Sequence, residues 1–305
     1  MLFNLLTHLD ESKYIIKKLE LGEEYQVRIV SESLWIMESL SILKLAGLEM
    51  EWLPDSFCYQ GGLLQLDLQD NCLHVLPDDI GDLELLKVLV VANNPIESFP
   101  DSIILLNNLE RLNASECLLM VLPMDFGNLQ SLTILKLDKN LLVALPESFG
   151  SLGKLRKVYL DKNFLRQLPV SIGSLHCLAE LSVKDNRLVE LPDSICGLDA
   201  LVVLGVGKNR LTTLPSNIGS LGGLGLVDIS FNPITSLPIS MTWFASTTNI
   251  HIDGENPARQ ALSEMPLQAS VRISDERSSR GTRANPRPTR MDEMRLEIMQ
   301  QFGWV

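Results

Sequence analysis

Seven asparagines, Asn71, Asn94, Asn140, Asn163, Asn186, Asn209 and Asn232, fall on one 23-residue grid, and the slot between Asn94 and Asn140 holds Cys117. A primary amide carries donors and an acceptor, so a column of them can satisfy backbone groups where a chain turns inward again and again. That is hydrogen-bond chemistry rather than catalysis. The four histidines are His8, His74, His176 and His251, and the five cysteines are Cys58, Cys72, Cys117, Cys177 and Cys196. No acid, histidine and nucleophile converge, and His176 with Cys177 makes only two of the about four ligands a zinc site needs. The sequence has no phosphate-binding glycine loop and no kinase signature. No catalytic residue, metal or cofactor is expected. Late in the chain, Ser278, Ser279 and Thr282 stand among arginines, a setting that basic-directed kinases favour and where phosphate would invert the charge. The terminal Phe302-Gly303-Trp304-Val305 ends in a hydrophobic carboxylate, but Gly303 occupies the position a PDZ groove reads.

The grid belongs to a repeat. Nine uninterrupted 23-residue copies begin at Leu40, Leu63, Leu86, Leu109, Leu132, Leu155, Leu178, Leu201 and Leu224, each close to L-x-x-L-x-L-x-x-N-x-L-x-x-L-P-x-x-I-G-x-L-x-x. A fixed period of this kind marks a solenoid. Positions 4 and 6 alternate with polar residues, as in Leu66-Asp67-Leu68 and Leu135-Lys136-Leu137, the period-two sign of a short strand with one buried face. Stacked copies then form a parallel sheet with strands about 4.8 Å apart. Asparagine occupies position 9, with Cys117 and Leu48 as exceptions. Position 15 is proline in all nine copies, from Pro54 to Pro238, which suits an extended turn or the start of a helical one. Acids that follow it, such as Asp55, Asp101, Glu147 and Asp193, are expected to cap that turn. Positions 18 and 21 return it to the core, and a glycine at position 19, in five copies, is expected to end it.

With Leu168-Pro169-Val170-Ser171-Ile172-Gly173-Ser174-Leu175 as a clear instance, the pattern resembles the eukaryotic intracellular leucine-rich repeats. It is similar to the Ras group, which includes Ras-pathway scaffolds, Ras-suppressor proteins and plant intracellular Ras-group proteins. The likeness covers about two thirds of the chain, Leu40 to Ser246. It implies an α/β horseshoe with a parallel concave sheet and short convex helical turns. It also implies a binding scaffold in signalling, some similar repeats binding small GTPases or phosphatase catalytic subunits. No catalytic residue carries over, because the motif positions are structural. Bacterial leucine-rich-repeat ubiquitin ligases use a cysteine in a separate domain, and here no cysteine follows Cys196.

The ends depart from the repeat. Residues 1–39 read as a helical start and a degenerate copy with Ile16, Leu19 and Leu21 at positions 1, 4 and 6, Trp35 and Met37 covering the open edge. Residues 40–246 form the repeat domain. Residues 247–268 read as a partial repeat and cap, with Ile250 and Ile252 in a tenth strand and Gly254-Glu255-Asn256-Pro257 closing it. Residues 269–289, rich in Arg, Ser and Pro, read as a disordered linker. Residues 290–305 hold a short amphipathic helix: Thr289-Arg290-Met291-Asp292 fits a capping box, and Met291, Met294, Ile298 and Phe302 share a face. That face either folds back on the C-terminal repeat or meets another chain.

Function should sit at the variable positions 3, 5, 7 and 8. In the middle copies these are Ile134, Lys136, Asp138 and Lys139; Lys157, Tyr159, Asp161 and Lys162; and Glu180, Ser182, Lys184 and Asp185. Charges that set register around an aromatic suit a protein partner, though such a band also serves as a solvated face. Val88, Val90 and Ala92 make one apolar spot. Val203, Gly205, Gly207, Leu226 and Phe231 make a second, either a docking site, for the 290–302 helix among others, or local drift.

The formal charge of −12 and pI near 4.8 argue against nucleic acid and anionic membrane as partners. No stretch reaches the ~18 apolar residues of a membrane span. The acidic start shows no signal-peptide pattern, and the scattered, odd cysteine count reads as reduced thiols in the cytoplasm. The expectation is a monomeric, non-enzymatic adaptor gripping a protein on its concave face. A regulatory subunit of a phosphatase or small-GTPase module is the alternative, and an enzyme with an unrecognised site is more remote.

Overall fold

Period-two leucines at a 23-residue spacing generate one open sheet. The structure, a computed structural model, describes residues 17–21, 40–267, 269–274 and 289–304, without the side chains of 271–274. Ile16, Trp35, Met37, Ser278, Ser279 and Thr282 lie outside the described residues. Twelve parallel strands stack in chain order. They are β1 (Lys18–Leu21), β2 (Ile42–Leu45), β3 (Gln65–Asp67), β4 (Val88–Val90), β5 (Arg111–Asn113), β6 (Ile134–Lys136), β7 (Lys157–Tyr159), β8 (Glu180–Ser182), β9 (Val203–Gly205), β10 (Leu226–Asp228), β11 (Asn249–Asp253) and β12 (Ser270–Ser274). Leu43 stands beside Leu66, Leu66 beside Leu89 and Leu135 beside Val158, so each column of the repeat becomes a column of the sheet. Leu19 and Leu21 extend the same columns from β1.

Behind the sheet runs one continuous apolar core, from Leu21 to Leu262. Short 3-10 turns such as Asp101–Leu105 and Glu147–Ser151 close the other side. Each of these two follows a proline in extended conformation, with φ of −65° at Pro100 and −68° at Pro146. Phe126 and Phe149 stack between adjacent turns with ring centroids 6.4 Å apart.

Three sequence expectations need correction. The acids after proline lie in the first turn, where their charge suits its dipole, but the cap position itself is proline, whose side chain offers no acceptor. Glu147 instead accepts from the N–H of Ser171 in the next copy, at 3.3 Å. The position-19 glycines matter through close approach rather than termination. A Cβ on Gly127 would lie 1.9 Å from the Ser148 carbonyl oxygen of the next turn, and one on Gly150 2.2 Å from that of Ser171. Residues 270–274, read as disordered linker, form β12. Val271 and Ile273 alternate with polar residues and register with Ile250 and Ile252, while helix α1 (Arg259–Glu264) replaces the 3-10 turn between them.

The asparagine column satisfies the inward turns. Asn140 donates from Nδ2 to Ala114 O at 2.8 Å and Leu137 O at 3.0 Å, and its Oδ1 accepts from Leu119 N at 3.0 Å. Asn71, Asn94, Asn163, Asn186, Asn209 and Asn232 repeat this bonding. Cys117 keeps the donor half, its Sγ reaching Val91 O at 3.3 Å. It has no amide oxygen to offer, and Ile96 N donates to Asn94 O instead. Asn256 closes the column by donating to Asn232 O at 2.9 Å.

Candidate protein-binding surfaces

Positions 3 and 5 project from the sheet face. On β5 to β7 this exposes Arg111, Lys136 and Lys157 around half-buried Tyr159. The Lys136 ammonium lies 5.7 Å from the Tyr159 ring centroid, and Lys157 pairs with Glu180 at 3.1 Å. The Tyr159 hydroxyl is pushed up by partial burial and by the neighbouring Glu180, so it stays protonated at neutral pH. Ile134, half-buried, separates Arg111 from Lys157 in the same column.

Position 7 is spent largely on the protein itself. Asp138 accepts from Asp161 N at 3.1 Å and Ser115 Oγ at 3.3 Å, and burial pushes its carboxyl above the ordinary value. Asp161 accepts from Ser182 Oγ at 2.6 Å and Lys184 N at 2.8 Å. Lys184 reaches over the copy beginning at Leu201 to Asp228, at 2.7 Å. Position 8 leaves the sheet altogether. Lys139, Lys162 and Asp185 are left-handed, with φ of 54°, 58° and 56°, and mark the edge where the strands run out. Lys139 pairs there with Glu116 at 2.9 Å.

The second apolar spot is not an open patch. Lys184 passes over Gly205, where a Cβ would meet Lys184 Cε at 2.6 Å, and Gly207 lies against the Asp228 carboxylate, where a Cβ would stand 3.1 Å from Oδ1. Val203 and Leu226 are half-buried beside it, and Lys208 lies 5.6 Å over the Phe231 ring. Val88, Val90 and Ala92 are likewise half-buried at the other end.

Helix α2 (Arg290–Gln301) occupies neither that spot nor the C-terminal repeat. It lies along the edge of the central copies, over position 10. Its N-terminus carries a complete capping box between Thr289 and Asp292. Arg290 Nη1 is 3.8 Å from Cys72 Sγ, and Arg295 Nη2 donates to the carbonyls of Cys117, at 3.1 Å, and Lys139. Past the helix, Arg187 Nη2 donates to Trp304 O at 2.8 Å, and Trp304 packs on Phe164 with centroids 4.9 Å apart. Leu118 and Leu141 are fully buried here, yet stand apart from the continuous core. Phe302, expected on the packed face, is half exposed, and Arg295 and Met299 turn inward in its stead. The helix lies where position 10 carries the large apolar side chains Leu118, Leu141 and Phe164. Toward the C-terminal end the column reads Arg210 and Pro233.

Residues 61–160 and 146–229 match the family model of a leucine-rich repeat region. The chain belongs to the leucine-rich repeat family. Its fold is similar to that of a Leptospira interrogans leucine-rich repeat protein, with a TM-score of 0.70 and 24% identity over 90% of this chain and 81% of that one. A plant peptide hormone receptor, RGFR1 in complex with RGF2, gives a TM-score of 0.70 and 24% identity over 85% of this chain, which spans only 44% of the receptor chain. A Listeria monocytogenes internalin gives 0.66 and 17% over 91% and 89%. No curated protein sequence matches the chain. Identities this low carry the fold alone.

Within this leucine-rich repeat frame, the structure gathers Lys136, Lys157, Tyr159 and Glu180 on the sheet face. It consigns Asp138, Asp161 and Lys184 to internal bonds and moves Lys139, Lys162 and Asp185 to the edge. Sequence reasoning missed Arg111, which shares its column with Lys157. It also missed the edge groove, whose signal was the apolar run Leu118, Leu141, Phe164 at a position a repeat does not need to bury. No cluster of metal-ligating side chains occurs among the described residues. Cys58 and Cys117 are pushed up to about 12, chiefly by burial, so they are not nucleophiles at neutral pH. No described helix is long and apolar enough to cross a membrane.

Proposed function

We propose that this leucine-rich repeat chain is a non-enzymatic cytoplasmic adaptor that holds a protein partner on its sheet face, across Arg111, Lys136, Lys157 and Tyr159. Leucine-rich repeats generally mediate protein–protein interaction, and solved neighbours include receptors with bound peptides. One observation carries the reading: three cations stand together on β5 to β7 of a chain with net charge −12, and among the described residues only Lys157 has a carboxylate partner. Such a patch favours a partner segment bearing carboxylates, with Tyr159 as its aromatic anchor. The pattern that resembles the Ras group supports a signalling setting, with a small GTPase or a phosphatase catalytic subunit as partner. Free cysteines throughout the described residues support a reducing compartment.

Affinity purification with mass spectrometry, comparing the wild type with Arg111→Glu/Lys136→Glu/Tyr159→Ala, tests the surface. Selective loss of partners is expected, and identical recovery from both chains counts against it. Adding the purified chain to assays of a recovered GTPase or phosphatase separates adaptor from regulatory subunit: an unchanged rate favours the adaptor.

A further inference from the structure

Three arginines meet along the edge where the strands run out. Arg166, Arg187 and Arg210 belong to the copies of β7, β8 and β9. Backbone bonds stack their turns: Arg187 N donates to Leu165 O at 2.9 Å, Val189 N to Arg166 O at 3.4 Å and Arg210 N to Leu188 O at 2.8 Å. Among the described residues none of the three has a carboxylate partner, in a chain of net charge −12. Their charges reach one another: partial burial holds the Arg187 guanidinium below its ordinary value, and Arg210 and Arg166 add to the effect. Arg187 is also held in place, 4.5 Å over the Phe164 ring and with one N–H given to Trp304 O. A guanidinium carries five N–H donors, so most of its fork stays free. Arg166 and Arg210 are exposed beside it. Guanidiniums gathered without carboxylates suit a phosphate, which takes paired N–H bonds from each.

The chain itself brings hydroxyls within reach. β12 ends at Ser274, and Thr289 begins the segment seated over Cys72, in the copy of β3. At about 4.8 Å per strand, the copies of Arg210, Arg187 and Arg166 lie about 14, 19 and 24 Å from β12. A chain covers at most about 3.3–3.6 Å per residue, so Ser279 can stand up to ~17 Å and Thr282 up to ~27 Å from Ser274. Ser279 can come level with Arg210, and Thr282 with Arg187 and Arg166. Counted back from Thr289, Ser279 still reaches the copy of Arg210 and Thr282 that of Arg166. Arg277, Arg280 and Arg283 flank the two hydroxyls, the setting basic-directed kinases favour. Unmodified, these neighbours and the three edge arginines repel one another, and phosphate reverses the sign.

We propose that Arg166, Arg187 and Arg210 receive a phosphate carried on Ser279 or Thr282 of the same chain. A basic-directed kinase transfers the γ-phosphoryl group of a nucleoside triphosphate to the hydroxyl. The ester O–P bond forms, the bond to the departing diphosphate breaks, and the hydroxyl proton goes to the kinase's base. The phosphate then spans neighbouring guanidiniums, and through Arg187 it holds Trp304 and the end of α2 on the edge. The site shares no residue with the sheet-face patch, so the two readings stand or fall separately.

The test compares the unmodified full-length chain with chains made with phosphate already on Ser279 or on Thr282. In at least one of the two, amide hydrogen exchange in α2 is expected to slow about fivefold, and to return to the unmodified rate in about 1 M salt. Arg166→Ala/Arg210→Ala removes two exposed side chains and leaves the Arg187 bond to Trp304 intact. It should abolish the slowing without moving the melting temperature of the unmodified chain. Incubating the unmodified chain with a basic-directed kinase and ATP should place phosphate on Ser279 or Thr282, read by mass spectrometry. Equal exchange with and without phosphate, slowing that survives Arg166→Ala/Arg210→Ala, or kinase labelling confined to other residues overturns the proposal. Inorganic phosphate that slows exchange in the unmodified chain equally well also overturns it, by making a soluble anion the occupant. So does slowing that grows with protein concentration, which would put the phosphate on a second chain. Arg111→Glu/Lys136→Glu/Tyr159→Ala should leave α2 exchange unchanged throughout.

Discussion

Lys184 Nζ and Asp228 Oδ2 lie 2.7 Å apart across an intervening repeat copy, where Gly205 leaves the room that the lysine chain takes. The bridge turns a local absence of side chains into a tie spanning three turns of the solenoid. Asp228 also accepts from Ser230 Oγ at 2.6 Å and Ser230 N at 3.1 Å, which fixes its orientation.

Gly205→Val should displace Lys184 rather than break the fold, since the atom in the way, Cε at 2.6 Å, belongs to a flexible chain. Lys184 is 39% exposed, so the lost pair is worth about 1 kcal/mol, or a melting temperature lower by roughly 2–4 °C. Adding Lys184→Ala to Gly205→Val should change little more. A fully additive effect in thermal melts would show that the two do not act through one interaction.

Buried Asp228 and half-buried Asp138 should respond to acid in opposite directions. Burial pulls the Asp228 carboxyl upward, but hydrogen bonds from Lys184 and Ser230 outweigh it and hold the group below its ordinary value. As pH falls, the unfolded chain protonates this group first, near ~4, so its stabilisation is present above that pH and lost as pH drops through the folded value. Asp138 is the reverse: burial raises it, and its charge is a burden to the fold at neutral pH that protonation relieves. At pH 7, Asp228→Asn should lower stability by about 1–2 kcal/mol. Asp138→Asn, which keeps Oδ1 for Asp161 N and turns an amide N–H toward Ser115 Oγ, whose hydroxyl can accept, should be neutral or stabilising. Denaturant melts at pH 7 and pH 3 decide this, since a gap between the variants that does not shrink at pH 3 contradicts it.

The asparagine column carries a graded prediction. Asn140→Ala strips partners from Ala114 O, Leu137 O and Leu119 N, all buried, and should cost about 3 kcal/mol. Cys117→Asn places an amide where seven of the column's other turns, before and after it, already accommodate one, and should leave the melting temperature unchanged or higher. A clear loss of stability in Cys117→Asn would mean that this slot is shaped for sulfur.

How far the sequence foretold this depends on the range of the interaction. The strands, the core and the asparagine bonds recur at one period, so each copy corroborates the next, and Leu66 and Leu135 could be placed without coordinates. The Lys184–Asp228 bridge needed knowledge of which neighbour a long side chain would choose. The docked helix was harder still. Its amphipathic face was plain in Met291, Met294 and Ile298, but its seat depends on Arg295 finding Lys139 O, 156 residues away. No local pattern sets that choice. The clue was compositional: Leu118, Leu141 and Phe164 are apolar at a position the repeat itself leaves outside.

Removing residues 289–305 should lower thermal stability, and the way it does so is diagnostic. Leu118 and Leu141 are each fully buried, worth about 1.5–3 kcal/mol apiece if returned to water. Ordering the helix offsets much of that gain, since fixing each residue costs about 1–2 kcal/mol before its own bonds are counted. A net loss of about 2 kcal/mol is expected, a fall of roughly 4–8 °C. Leu118→Asp/Leu141→Asp should destabilise the full chain by a similar amount, by driving the helix off its seat. In the truncated chain the same pair of substitutions should matter little, because the two side chains are already in water and take no part in the continuous core. The cycle therefore predicts strong non-additivity. If the leucine substitutions destabilise the truncated chain as much as the full one, their burial does not depend on the helix and the edge groove is part of the solenoid's own core.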